Sequence, residues 1–96
     1  MKGYVIANVT VTDPAAYEAY RSQTGAVIAQ YGGRALVKGG AIQVREGDPG
    51  LSRLVIVEFP SVEAARTFYD SPEYQAILPI RQANAEATLC IVEGLE

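Results

Sequence analysis

The chain has 96 residues, 49% of them hydrophobic and 20% charged, which is typical of one globular domain and excludes a disordered chain. Its net charge is −3 and its eight lysines and arginines are scattered, so we expect neither a nucleic-acid surface nor a membrane surface. Histidine is absent and cysteine occurs once, which excludes Ser-His and Cys-His pairs and an internal disulfide, and we expect no metal ion and no cofactor. The sequence shows no signal-peptide pattern and no apolar run near the ~20 residues that span a bilayer, so we predict a cytoplasmic location.

The chain begins with a strand and a long helix. Residues 2–11 are rich in β-branched side chains and predict a strand. Asp13 is a favourable N-cap and Pro14 suits the first helical position, so a helix begins there and ends at Gly32-Gly33. Residues that recur at helical spacing predict one buried stripe along it: Tyr17, Tyr20, Thr24, Val27, Ile28 and Tyr31.

Further strands follow this helix. Residues 34–38 predict a short strand that Gly39-Gly40 interrupts. Residues 41–46 alternate between apolar and polar side chains and predict a continuing edge segment. The acidic stretch 46–50 contains Pro49-Gly50, which indicates a turn and not a metal-binding loop. Residues 53–59 predict a strong central strand.

The last third repeats the strand–helix pattern. Ser61 caps a second helix, and Ser71-Pro72 repeats the signal for a short third helix that Pro79 limits or kinks. Residues 88–93 predict the last strand. The order β-α-β-β-α-β, with right-handed crossovers, predicts one ferredoxin-like α+β domain over residues 1–96 with a mostly antiparallel sheet.

The predicted strands are apolar on both faces. In the first strand Val5, Ala7 and Val9 share one face, while Ile6 lies on the opposite face with polar neighbours. Two helices cover only one face of such a sheet, and soluble monomers rarely expose an apolar patch of several hundred Å². We therefore predict a homodimer joined through the sheet faces, and we expect Cys90 to be a buried thiol.

Several segments resemble one bacterial family, domain of unknown function 1330, which belongs to the dimeric α+β barrel superfamily. They are Gly3 to Val11, Asp13-Pro14 with Tyr17 and Tyr20, Tyr31 to Arg34, Glu58 to Ser61, and, as the most specific, Tyr69 to Gln75 with Arg81 after it. The resemblance implies a ferredoxin-like fold and a homodimer whose sheets pack into a barrel, but no established activity. Superfamily relatives include cofactor-independent monooxygenases, lactone isomerases and haem-degrading enzymes. Many of them use a His or Trp in the cavity, and this chain has neither.

Strand parity places Asn8 and Glu58 on the face without helices, on neighbouring strands and, we expect, at similar depth. A carboxylate there needs a partner, because a buried unpaired charge is costly; the candidates are Arg34, Lys38 and Arg81. We predict Glu58 as a general base or anchor and Asn8 as a hydrogen-bond donor. The structural alternatives are an ion pair for Glu58 and a backbone contact for Asn8.

Four further residues are predicted to contact a ligand. Arg34 or Arg81 would hold an anion, Tyr17 would donate a hydrogen bond, and Tyr69 would line the pocket mouth. Core packing for the tyrosines and a surface ion pair for Arg34 are the alternatives.

Two functions from different classes follow. The first is a small-molecule binder or cofactor-independent enzyme with its ligand in a cleft between sheet and helices. The second is a non-catalytic dimerisation or sensor module with a packed interior. A cavity of roughly 300 Å³ or more with convergent polar groups would favour the first.

Overall fold

The computed structural model describes residues 1–96. Its elements are, in chain order, β1 (Gly3–Val11), α1 (Pro14–Gln30), β2 (Arg34–Lys38), β3 (Arg53–Phe59), α2 (Val62–Asp70), α3 (Pro72–Asn84) and β4 (Ala85–Glu93). The strands form one sheet in the order β2-β3-β1-β4, and every neighbouring pair is antiparallel. The prediction of a ferredoxin-like α+β fold is confirmed, with α3 added between α2 and β4.

The helices begin where the capping signals predict. The Asp13 carboxylate accepts a hydrogen bond from the Ala16 N–H at 3.2 Å, and the Ser61 hydroxyl accepts one from the Ala64 N–H at 3.0 Å. The Ser71 hydroxyl accepts from the Tyr74 N–H at 3.1 Å and donates to the Phe68 carbonyl at 2.7 Å. Because Ser71 serves the end of α2 and the start of α3, it fixes the angle at which the two helices meet. None of the three helices has the length and apolar content needed to cross a membrane.

All three helices lie against one face of the sheet. The odd-numbered residues of β1 point to this helix face and are buried as far as Val9, while the even-numbered ones point to the opposite, open face. The core lies between helix face and helices, and its most deeply buried members are Phe59, Ala65 and Tyr74. The open face is half-exposed in the single chain and includes Ile6, Ile56, Thr88, Cys90 and Val92.

Residues 41–46 form no strand, contrary to the prediction. The Gly39 N–H donates the last hydrogen bond from this segment to β3, at the Leu54 carbonyl. Gly39 has φ +74°, and the chain turns away from the sheet there. Lys38 already lies opposite Val55, and β3 begins at Arg53, so no partner backbone remains for a longer β2. The alternating sequence therefore lies in an irregular loop.

Two boundaries also differ from the predictions. Helix α3 continues through Pro79 to Asn84, because Pro79 and Gln75 both lie on its exposed side, where water can bond the carbonyl that loses its donor. Strand β4 begins at Ala85 and not at residue 88, because it pairs with β1 as far as Val11.

Candidate functional site

A cavity of about 180 Å³ lies between the helix face of the sheet and helices α1 and α3. It is open on the side of β2, which α1 covers only in part, so Ala35 and Lys38 are exposed there. Its walls are mostly apolar and include Val5, Val9, Val55, Val57, Ile28 and Phe68. It is smaller than the roughly 300 Å³ that we expected for the small-molecule function, so the size criterion is not met. Its volume is similar to that of the ~150 Å³ apolar cavity that admits benzene.

Polar groups gather at one end of this cavity. Helix α1 begins and α3 ends where β1 ends, since the Thr12 and Asp13 N–H groups both bond the Asn84 carbonyl. This arrangement brings Tyr17 of α1 and Arg81 of α3 to the end of the sheet where Arg53 lies opposite Val9. The other end is apolar. The cavity therefore has a cationic end at Arg81 and Arg53 and an apolar end near Phe68 and Gly33.

Arg81 is 7% exposed and has no acidic partner. Its Nε is buried without a hydrogen-bond partner, and the two ion pairs of the chain join other residues, Arg21 with Glu18 and Arg34 with Glu58. Its guanidinium carbon lies 5.9 Å from the centre of the Tyr20 ring, which offers a cation–π contact. Burial acts to lower the pKa of Arg81, but the oxygens of Tyr74 and Tyr20 outweigh it and raise that pKa, so the group stays charged.

Arg53 is the second cation with an unpartnered nitrogen. Its Nε is also buried without a hydrogen bond. Gly39 makes room for its guanidinium group, because a Cβ on Gly39 would overlap the Arg53 side chain. The sheet edge is thus shaped to hold this side chain at the cavity.

The tyrosines of the cavity supply neutral hydroxyl groups. Tyr20 and Tyr74 share a hydrogen bond between their hydroxyls at 2.8 Å, and burial raises the pKa of Tyr20 far above its usual value of 10.0. Burial also raises the pKa of Tyr17, although the charges of Arg53 and Arg81 act in the opposite direction. The hydroxyls of Tyr17 and Tyr20 therefore remain protonated near neutral pH, so they can donate hydrogen bonds but cannot act as bases.

Glu58 and Arg34 meet on the open face, away from the cavity. Arg34 Nη2 donates to Glu58 Oε1 at 3.1 Å, and the Tyr4 hydroxyl donates to Glu58 Oε2 at 3.2 Å. The side chain of Arg34 is 72% exposed and that of Glu58 18%. The contacts are those of the structural alternative for both residues, a half-exposed ion pair at the sheet edge.

Asn8 lies on the same face but far from Glu58. Asn8 pairs with Leu54 in the register of β1 and β3, whereas Glu58 pairs with Tyr4, four residues away and about 13 Å along the strand. The expectation of similar depth is therefore wrong. Asn8 Nδ2 donates to the Gly50 carbonyl at 3.0 Å, and its Oδ1 accepts from the Ser52 N–H at 2.7 Å, so it holds the preceding loop against the sheet.

Of the six predicted site residues, only Tyr17 and Arg81 line the cavity. Tyr69 is half-buried behind it, with its ring centre 5.4 Å from that of Tyr74. Cys90 lies on the open face opposite Ile6 and is exposed in the single chain, contrary to the expectation of burial. No group of three or more Cys, Asp or Glu side chains lies together in a way that could hold a metal ion.

Arg53 and Tyr74 line the cavity but were not among the predicted site residues. Parity gave a signal for Arg53, because it lies two residues before Val55 and so belongs to the helix face. For Tyr74, which flanks the break between α2 and α3 together with Tyr69, the sequence indicates either a pocket mouth or a packed corner and favours the packed corner.

The comparisons agree with this architecture. A family model described as Domain of unknown function (DUF1330) matches residues 2–95. A protein of unknown function from Rhodopseudomonas palustris is 23% identical with a TM-score of 0.74, covering 99% of this chain and 83% of that one. SnoaB, a cofactor-independent oxygenase from Streptomyces nogalater, is 19% identical with a TM-score of 0.71, covering 99% and 94%.

A third similar structure is a dimeric ferredoxin-like protein of unknown function from Thermobifida fusca, 14% identical with a TM-score of 0.60, covering 98% of this chain and 92% of that one. At these identities the similarity establishes the shared fold alone. No protein of curated function matches the sequence.

Proposed function

Because the chain belongs to the DUF1330 family, whose description states no function, we propose a function from the site itself: the protein binds a small organic molecule in the cavity between sheet and helices. The observation that carries this proposal is an open apolar cavity of about 180 Å³ that is lined by two arginines, each with a buried nitrogen that has no hydrogen-bond partner. Its size suits a molecule with one ring or a short chain. A packed, dry interior, which the alternative function requires, would contain no such space.

The proposed assembly is a homodimer through the open face. Ile6, Ile56 and Cys90 lie side by side there, and no helix covers them. The Thermobifida fusca structure, described as dimeric, supports this choice by analogy of fold. We propose a cytoplasmic protein whose partners are a second copy and the ligand, and its scattered cations give no reason to add nucleic acid or a membrane.

A second candidate function is cofactor-independent oxygenation. It is favoured by the similarity to SnoaB, which covers 99% of this chain. The cavity contains no carboxylate and no neutral imidazole to remove a proton, so a substrate for such a reaction would have to enter already ionised. This candidate would be tested by measuring oxygen consumption by the purified protein in the presence of a compound that it is shown to bind. Binding of that compound without turnover would contradict it.

Gly25 allows a direct test of the cavity. It lies exposed on α1 at the mouth, and a Cβ there would meet no atom within 4 Å, so a substitution at this position begins in open space. We expect Gly25→Phe to fill the mouth and abolish ligand retention, while the matched control Gly25→Ala retains it. Native mass spectrometry of each purified protein would measure the retained ligand. Equal retention by wild type and Gly25→Phe would place the ligand elsewhere.

A further inference from the structure

The charged residues around the cavity are all of one sign. Its lining includes Arg21, Lys38, Arg53 and Arg81, four of the eight basic residues in the chain, and none of the eleven acidic residues. This excess occurs in a protein whose net charge is −3. Arg21 is paired with Glu18, which leaves three cations at the cavity without an acidic partner.

From this asymmetry we propose that the ligand is a small monocarboxylate whose carboxylate binds between Arg81 and Arg53 and whose apolar body occupies the opposite end of the cavity. The inference rests on the proposed function and specifies its ligand class.

The hydrogen-bonding groups fit a carboxylate. Arginine offers only donors, and the protonated hydroxyl of Tyr17 offers another at the same end of the cavity. An ionised carboxylate is an acceptor only, and it matches the planar donor fork of a guanidinium group. Both arginine side chains line the cavity, where a carboxylate would meet two such forks.

The burial of Arg81 gives a second reason. A guanidinium group that is 7% exposed has lost most of its hydration, and the chain offers it tyrosine oxygens and a ring face but no counter-charge. The open face, where a second copy would pack, lies across the sheet from Arg81, so the proposed dimer partner does not supply that counter-charge. A bound anion supplies it.

The size and shape of the cavity restrict the rest of the ligand. The walls away from the cationic end are Val5, Val57, Ile28 and Phe68, which present no charge and no hydrogen-bonding side chain. A volume of about 180 Å³ admits one ring or a chain of several carbons. Bare inorganic anions would leave these walls uncovered, and large polycyclic acids would exceed the space.

The test compares acids with their neutral amides. Binding of benzoate, benzamide, hexanoate and hexanamide to the purified protein would be measured by calorimetry or by chemical-shift titration. We expect each acid to bind at least tenfold more tightly than its amide. Arg81→Gln should remove this preference, and Arg53→Gln should reduce it, whereas Arg66→Gln on the exposed side of α2 should leave it unchanged.

The outcomes separate the two proposals. If acids and amides bind equally, and Arg81→Gln and Arg53→Gln have no effect, the carboxylate inference is overturned while the cavity remains a binding site. If none of the four compounds binds and no ligand is retained by the purified protein, both proposals are overturned. If Arg81→Gln fails to fold, the half-buried Arg53 gives the deciding result, because its replacement leaves the core intact.

Discussion

The two faces of the sheet hold their polar side chains in opposite ways. On the open face, Glu58 has Arg34 and Tyr4 as partners, and Asn8 has two backbone partners. On the helix face, Arg81 and Arg53 each retain a buried nitrogen without a partner. Polar side chains on a sheet face, or packed against it, therefore indicate a ligand site only where the chain itself leaves them without partners.

A charge placed on the open face should prevent dimerisation, and we expect this change to have the strongest consequence. Ile56→Asp places a charge at the centre of this face, between Ile6 and Val37, so we expect the homodimer to dissociate. Light scattering at micromolar concentration would then give about half the wild-type mass. Leu95→Asp is the control, because Leu95 is 95% exposed. A wild-type protein that is itself monomeric would contradict the proposed dimer.

On the helix face, one substitution at Arg81 should change both the stability of the protein and its binding of an anion. Arg81→Met replaces a buried guanidinium group without an acidic partner by an apolar side chain of similar size, so we expect the free energy of unfolding to stay level or to rise by up to about 2 kcal/mol. Binding of benzoate should be lost in the same variant. Chemical denaturation measures the first effect and calorimetry the second.

Arg34→Met is the matched control on the open face. Because its ion pair with Glu58 is largely exposed, the change in stability should stay below about 1 kcal/mol. A loss of several kcal/mol in Arg81→Met would instead identify Arg81 as a structural group.

Asn8→Ala tests the structural role assigned to the open face. The substitution removes the contacts with Gly50 and Ser52, so we expect a loss of about 1 to 2 kcal/mol and faster hydrogen exchange in residues 47–52. Ligand retention should not change. Thr88→Ala, opposite Asn8 in the register of β1 and β4, is the control. If Asn8→Ala no longer retained the ligand, Asn8 would contribute to ligand binding and the structural role would be contradicted.

Gly25→Ala should stabilise α1 without affecting either face. A glycine inside a helix costs about 0.8 to 1 kcal/mol relative to alanine, and a methyl group at this position meets no other atom within 4 Å. Thermal unfolding would show a higher melting temperature. Gly39→Ala should have the opposite effect, because Gly39 has φ +74° and its Cβ would overlap the Arg53 side chain. Destabilisation by Gly25→Ala would mean that the helix bends at this residue.

The smallest effect lies away from both faces, where α1 ends beside the start of α3. The Tyr31 hydroxyl and the Gln30 amide donate to Glu73 at 2.6 and 3.0 Å and lower the pKa of this carboxyl below its usual value of 4.5. A lowered pKa in the folded state stabilises the protein above the unfolded pKa, and this contribution is lost as pH falls through the folded value. The melting temperature should therefore fall below about pH 4.5, and less steeply in Glu73→Gln. Equal slopes in both proteins would contradict this role.

Much of the fold could be predicted because local signals and burial agree. Asp13, Ser61 and Ser71 cap helices in the structure as their sequence context indicates. The alternation in β1 identified its helix face correctly. The loop at residues 41–46 could not be predicted, because its alternating sequence favours a strand and only the short length of β3 denies it a partner.

The candidate site was harder to predict because it depends on register. Parity identified the face of Asn8 and Glu58, but their separation depends on which residues pair across β1 and β3, and the sequence does not state this. Arg81 was predicted as a ligand-binding residue from a family resemblance and from its charge. Its lack of a partner, which carries the present proposal, appears only when α1, α3 and β3 are assembled.

The hydroxyl pair of Tyr20 and Tyr74 has a consequence for how this family can diverge. This hydrogen bond joins α1 to α3 inside the core. Replacing one tyrosine by phenylalanine leaves the other hydroxyl buried without a hydrogen-bond partner, which lowers the free energy of unfolding by about 1 to 3 kcal/mol. Replacing both removes donor and acceptor together, but it also removes the oxygens that favour the charge on Arg81. A chain that loses both hydroxyls should therefore lose the charge at position 81 as well, so these three positions should change together during evolution.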